Sequence, residues 1–197
     1  MENVFPIEDK FVSREEREMR YGQRAKAIWL TGLSGSGKST LAIALERKLF
    51  DKGYSAIVLD GDNIRSGINN NLGFTQEERE ENNRRVAEVA KLFLSNGQIC
   101  IVSFISPTDK MRQMARDIIG KEDYVEVFID TPIELCEQRD IKGLYKKARM
   151  GEISDFTGVD APYETPLHPH IHIHTENQPV EQSVAELVES ILPIIRW

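Results

Sequence analysis

The sequence predicts an α/β fold in which one mostly parallel, five-stranded sheet is covered by helices on both faces. Three observations predict it. Short apolar runs alternate with segments of helical period along most of the chain, the order expected when crossover helices join parallel strands. Between the first such run and the first long helical segment lies Gly32-Leu33-Ser34-Gly35-Ser36-Gly37-Lys38-Ser39-Thr40, which matches the phosphate-cradling pattern G-x-x-x-x-G-K-[ST]. The 197 residues, 40% hydrophobic and 29% charged, suit a single soluble domain with a substantial core.

In chain order, residues 1–26 read as a polar lead-in. Within it Ser13 and Glu16 form a capping box and start a short helix reaching about Tyr21. Gly22-Gln23 turns into the first strand, Ala27-Ile28-Trp29-Leu30-Thr31, apolar as a buried parallel strand should be. Leu41, Ala42, Leu45 and Leu49 then recur at helical spacing. The glycine-rich stretch therefore sits at a strand-to-helix turn, where backbone N–H groups can converge on phosphate at a helix N-terminus. Asp51 to Tyr54 closes that helix. Ala56 to Leu59 is a second strand ending at Asp60-Gly61-Asp62-Asn63. Thr75 and Glu78 form a second capping box and open a helix to about Asn96. Ile99 to Phe104 is a third strand, and Ser106 as N-cap with Pro107 at N1 starts the next helix. Tyr124 to Ile129 is a fourth strand, and Pro132 to Arg139 a short helix. Residues 140–167 are basic, then rich in Gly and Pro, with no packing period. Ile171 and Ile173 mark a fifth strand, and Val180 to Ile195 a closing amphipathic helix. The sequence thus predicts a single P-loop NTPase domain over residues 27–197, with a mobile lid expected at about 139–160. Ligands of such sheets bind beyond the carboxyl ends of the strands. The glycine-rich loop, residues 60–63 and residues 105–107 all fall at that edge.

Composition narrows the function. A formal charge of −7 argues against a nucleic-acid partner, which calls for a broad basic face. No apolar run approaches membrane-spanning length, and Met1 to Arg20 lacks an apolar signal core. No membrane association and a cytoplasmic location are therefore expected. Cys100 and Cys136 sit in apolar contexts without metal-ligand spacing, so reduced core thiols are expected. A nucleotide switch would carry Asp at the end of strand three or an [NT]-K-x-D motif. The strand ends Val102-Ser103-Phe104, and the motif is missing from the sequence.

Several constellations carry chemistry. Asp60 and Asp62 flank a glycine directly after strand two, where carboxylates suit Mg²⁺ ligation or taking a proton from an attacking hydroxyl. Projecting the stripe Val86, Val89, Ala90 and Phe93 back along its helix turns Arg79 and Asn82 inward. A buried guanidinium needs a partner, either an anionic ligand or an internal salt bridge. Arg139, Lys142, Lys146, Lys147 and Arg149 stand against the single acid Asp140, which suggests a cationic lid over phosphates. Phe156 offers a ring for stacking on a base. Ser106 invites a nucleophile reading, but an N-cap role explains it, and no histidine lies nearby in sequence to activate it. His170, His172 and His174 share one strand face. They could ligate a metal; the favoured reading is the wet face of an edge strand whose isoleucines point inward.

Together these segments resemble the adenylylsulfate kinase family, P-loop kinases that phosphorylate adenosine 5′-phosphosulfate (APS) on its 3′-hydroxyl. The likeness rests on GLSGSGKST at 32–40, DGDNIR at 60–65, LGFTQEEREEN at 72–82, ISP at 105–107, KGLYKKAR at 142–149 and FTGVDAPYE at 156–164. A kinase for another acceptor would keep the loop but has no reason to carry DGDNIR and KGLYKKAR together. The resemblance implies that Gly32, Leu33, Ser34, Gly35, Ser36, Gly37, Lys38, Ser39 and Thr40, with Arg139, bind ATP. It implies an APS pocket of Asp62, Arg65, Phe74, Arg79, Asn82, Ile105, Ser106, Lys142, Leu144 and Phe156, with Phe74 and Phe156 sandwiching the adenine. Asp62 becomes the essential acid, Lys38 a catalytic cation, Ser39 and Asp62 the Mg²⁺ ligands, and Ser106 the position marked in the family as a phosphoserine. A homodimer and functional coupling to ATP sulfurylase are implied as well. The chain departs from the family pattern at Thr108, where an aromatic is usual, and at Pro169-His170, where Pro-Glu is usual. Its histidine-rich strand is unusual too.

Overall fold

Each apolar run lies in the strand it anticipates. A computed structural model describes residues 5 and 7–197; residues 1–4 and 6 of the polar lead-in fall outside the described part. Strands β1 (Ala27–Thr31), β2 (Ala56–Asp60), β3 (Ile99–Ser103), β4 (Tyr124–Asp130) and β5 (Ile171–His174) form one sheet in the order β2-β3-β1-β4-β5. All of its pairings are parallel. The helices are α1 (Arg14–Tyr21), α2 (Lys38–Asp51), α3 (Gly61–Ser66), α4 (Gln76–Ser95), α5 (Asp109–Ile119), α6 (Ile133–Arg139), α7 (Leu144–Arg149) and α8 (Val180–Ile195).

Alternation along the strands sorts the core into two layers. Ile28, Leu30, Ile101, Val127 and Ile129 face α2 and α8, meeting Leu41, Leu45, Leu187 and Ile191. Ala27, Trp29, Cys100 and Tyr124 face α4 and α5, meeting Val86, Ala90, Ala115 and Ile119. Each large apolar side chain buried this way contributes about 1.5–3 kcal/mol. Because β1 is central, all five of its residues are buried, and the loop that follows it emerges mid-sheet. Both cysteines are buried free thiols, and burial pushes that of Cys100 well up. Among the described residues no helix is long and apolar enough to cross a membrane.

Both capping boxes form, at Ser13 and at Thr75. The lead-in helix α1 is tied down by Arg14, which donates to Asp123 (2.9 Å) and to the Ala25 carbonyl (2.7 Å). Three features differ from the sequence reading. First, Asp60-Gly61-Asp62 is the start of α3, because the Asp60 side chain caps it by accepting from the Asp62 N–H (3.1 Å). Second, α7 interrupts the basic stretch. Its single acid, Asp140, accepts from the Tyr145 and Lys146 N–H groups (3.0 and 3.1 Å), supplying the cap that a periodicity search does not see. Third, the helix after β3 is capped by Thr108, whose hydroxyl accepts from the Met111 N–H, and not by Ser106. Ser106 is engaged elsewhere, as described below.

Candidate active site

The glycine-rich loop runs from β1 into α2. At Gly32 (φ 153°) an added Cβ would lie 2.6 Å from the Ile129 carbonyl oxygen, so no larger residue fits. Gly37 (φ 104°) starts α2 without any side-chain cap, which leaves its first N–H groups to an anion. Lys38 Nζ donates to the carbonyls of Gly32 (2.9 Å) and Leu33 (2.7 Å). Burial lowers its pKa to about 8, and nearby Lys142 adds to the effect, against opposing pulls from Cys136, Asp60 and Asp62. An ammonium held this way gains most from a phosphate that restores a counter-charge.

Ser39 Oγ donates to Asp60 Oδ2 at 2.6 Å and lies 3.3 Å from the Ser103 hydroxyl. Asp62, expected beside Ser39, projects instead from α3 and is ion-paired with Lys142, both side chains being mostly exposed. Asp60 is thus the carboxylate in contact with Ser39; its place after strand two made it a candidate, but the ligand set that the resemblance implies named Asp62 as its only carboxylate. The signal was available: Asp60 is the last residue of β2, whereas Asp62 lies a half-turn into a helix whose existence the sequence did not announce.

On the facing wall, the exposed Phe74 ring lies 4.4 Å from the Arg65 guanidinium and 5.8 Å from that of Arg79. Arg65 donates to the carbonyls of Leu72 (3.2 Å) and Gly73 (2.8 Å). Arg79 donates to the Phe74 carbonyl (2.7 Å), the Asp155 carbonyl (2.6 Å) and the Thr157 hydroxyl (3.2 Å). Neither forms an ion pair among the described residues, so an internal salt bridge is not what turns Arg79 inward. Burial lowers the pKa of both, and for Arg65 the Arg79 charge adds to it. Two like charges satisfied by neutral oxygens make a slot for an anion. Asn82 is buried, its Oδ1 accepting from Asn69 Nδ2 (2.9 Å).

From the stretch 139–160, residues 139–142, 144, 145, 156 and 157 line the cleft. Arg139 donates to the carbonyls of Gly35 (3.3 Å) and Ser36 (3.4 Å), and the Tyr145 hydroxyl to that of Ser34 (2.9 Å). Phe156 packs on Tyr145 edge to face, 4.9 Å between centroids. Of the five cations in the basic run, Arg139 and Lys142 line the cleft, while Arg149 pairs with Glu137.

Ser106 is buried with φ 44°, a left-handed backbone unusual for a non-glycine residue. Its hydroxyl donates to Asn83 Oδ1 (2.6 Å) and accepts from Trp29 Nε1 (2.9 Å). The N-cap explanation therefore fails: Ser106 pins the turn after β3 to β1 and α4. Asn83, which sequence reasoning missed, is its partner. An amide oxygen is no base, so nothing in this contact activates the hydroxyl.

One cleft of about 560 Å³ is lined by all of the expected site residues except Gly32 and Leu33, whose carbonyls instead hold Lys38. A parallel sheet with this loop at the end of its middle strand, opposite a two-arginine slot, defines a P-loop phosphotransferase. The family model described as adenylylsulphate kinase matches residues 24–174, and the chain belongs to that family. It is 56% identical to the adenylyl-sulfate kinase of Phocaeicola vulgatus over 98% of this chain and 95% of the relative. It is similar to the APS kinase of Mycobacterium tuberculosis solved with AMPPNP and APS, at 48% identity and a TM-score of 0.81, covering 85% of this chain and 98% of that one. A hexameric APS kinase from Thiobacillus denitrificans shares 28% identity at a TM-score of 0.66, over 87% of this chain and 29% of that one.

Proposed function

We propose that this chain transfers the γ-phosphoryl group of ATP to the 3′-hydroxyl of APS, yielding ADP and 3′-phosphoadenylylsulfate. The observation that carries the proposal is the pairing, in one cleft, of a phosphate loop with two guanidiniums that lack any acidic partner among the described residues. The loop amides from Gly32 to Thr40, Lys38 and Arg139 bind the ATP phosphates. Arg65 and Arg79 meet the acidic end of APS. Phe74 and Phe156 contact its adenine, and Asn82, Ile105, Lys142 and Leu144 complete its pocket. Asp62 orients the 3′-hydroxyl and accepts its proton as the oxygen attacks in line, and Lys142 steadies the charge on Asp62 beforehand. Ser106 acts as a positioning residue without becoming phosphorylated, since its proton is committed to an amide oxygen.

The donor set at Ser39 and Asp60 is oxygen only, 2.6 Å apart, which fits Mg²⁺, a hard cation that takes oxygen ligands. Those two residues would hold it, and when bound it neutralises charge on the transferring phosphoryl group. Self-association as a homodimer is part of the same proposal, supported by exposed apolar side chains at Phe11, Val12 and Met19. So are a cytoplasmic location, in keeping with the reduced cysteines, and functional coupling to an ATP sulfurylase, the kind of enzyme that makes APS.

The test is ADP release from Mg-ATP with and without APS, in wild type and in Asp62→Ala. APS-dependent release that falls by about 10²–10⁴ in the variant is expected. Release indifferent to APS would overturn the substrate and leave a kinase for another acceptor.

A further inference from the structure

Outside the cleft, Asp130, His172 and His174 bring three metal-ligating atoms within 4.8 Å of one another. Strand register assembles them. β5 runs parallel to β4 with His172 beside Phe128 and His174 beside Asp130, so all four side chains share one face. Ile171 and Ile173 are buried on the opposite face, while both imidazoles remain exposed. β5 is the sheet's edge, so solvent reaches the cluster. The Phe128 ring lies 5.0 Å from that of His172 and limits its swing. His170 lies outside this cluster; its Nδ1 accepts the Glu126 N–H (3.1 Å).

Asp130 Oδ2 lies 3.0 Å from His172 Nε2 and 3.3 Å from His174 Nδ1. Tetrahedral bonds of about 2.0–2.2 Å set donors roughly 3.3–3.6 Å apart, so the His174 separation matches directly and the His172 pair, now at hydrogen-bond distance, would open by a few tenths of an ångström. Both imidazole nitrogens converge on the same carboxylate oxygen, an arrangement that one shared ion would hold together. We propose that Asp130, His172 and His174 bind one divalent cation of the zinc type, with water completing the shell. Two imidazoles and one carboxylate suit Zn²⁺ and disfavour Mg²⁺, which keeps to oxygen donors. This site is therefore chemically separate from the pair at Ser39 and Asp60. The ion ties the edge strand to β4 just before Thr131, whose hydroxyl donates to the Ser36 carbonyl of the phosphate loop (2.9 Å). It stabilises the edge and, through it, the back of that loop.

The test is calorimetric titration of the metal-stripped full chain with Zn²⁺, beside His172→Ala, His174→Ala, the double variant and His168→Ala. All are exposed positions whose replacement spares the core. One equivalent bound in wild type is expected, weakened about tenfold or more by either ligand variant and unchanged in His168→Ala; even outer-shell partners of a metal site cost about 10–100-fold when lost. Zn²⁺ should also raise the melting temperature of wild type and not of the double variant. No binding by wild type, or equal affinity in wild type and the double variant, would overturn the site.

Discussion

Raising the pH from 7 to 9 should weaken ATP binding about tenfold, with Lys38 as the cause. Burial brings this lysine to about 8 in the ligand-free chain, and phosphate favours its cationic form. With the ammonium required for tight binding, the apparent Kd scales as one plus the ratio of neutral to charged lysine. That factor is about 1.1 at pH 7 and about 11 at pH 9, provided the bound complex keeps its proton throughout. A phosphate's last proton leaves near pH 6, at about one unit below this window, so the nucleotide does not mimic the effect. Stability moves the other way. The folded pKa is depressed below the unfolded value of about 10.4, so between roughly pH 8 and 10.4 the unfolded chain holds more protons. Lys38 therefore makes stability rise with pH across that window while affinity falls.

The assay is the affinity of a fluorescent ATP analogue from pH 6.5 to about 9.5 at fixed ionic strength, in wild type and Lys38→Arg. Arginine stays charged throughout, so the variant's profile should be flat between pH 7 and 9, whatever its absolute affinity. An inflection that survives in Lys38→Arg, or an affinity that holds through pH 9 in wild type, would refute the assignment of this titration to Lys38.

Two further outcomes follow from the cleft. Arg79→Ala removes a charged donor, whose hydrogen bonds are worth about 1.5–3 kcal/mol, so the KM for APS should rise roughly 10–150-fold with that for ATP nearly unchanged. A matching rise in both would place Arg79 in general stability instead. Ser106→Ala should lower stability by about 1–3 kcal/mol in denaturant melts, because Asn83 and Trp29 lose a buried partner. APS-dependent ADP release should survive in that variant, and wild type given γ-labelled ATP should yield no labelled protein; label on wild type that Ser106→Ala abolishes would restore the phosphoserine intermediate.

What was legible in the sequence was what short-range physics controls. The run Ala27–Thr31 reads as a buried strand because every residue is apolar or small, and Val180–Ile195 reads as a helix because its period is unbroken. Thr75 and Glu78 announce α4, and its stripe already turns Asn82 into the interior. The misses share a different origin. Ser106-Pro107 has the local signature of a helix start, but Trp29 and Asn83, distant in sequence, capture the serine and push the cap to Thr108. Asp60 and Asp62 look equivalent in DGD. Only the helix between them separates one toward Ser39 and the other toward Lys142. Six-residue helices such as α3 and α7 are too short to display a period, and α7 depends on a carboxylate cap four residues before it.

Backbone strain in the cleft wall lies close to Arg79. Among the described residues three non-glycine positions have positive φ: Ser106, Asp155 and Asn177. A left-handed serine or aspartate costs on the order of 1–3 kcal/mol and persists only where surrounding bonds over-determine it. At Ser106 those bonds are the contacts with Asn83 and Trp29, and a third from Arg112 to its carbonyl (3.0 Å). Asn83 in turn donates to the Arg79 carbonyl (2.9 Å), and the Arg79 guanidinium donates to the Asp155 carbonyl (2.6 Å). Of the three strained residues, Asp155 thus accepts directly from the Arg79 side chain, and Ser106 reaches the Arg79 backbone only through Asn83. The bonds around Ser106 brace Asn83, which holds the backbone of Arg79, the arginine that the proposed function assigns to the acceptor.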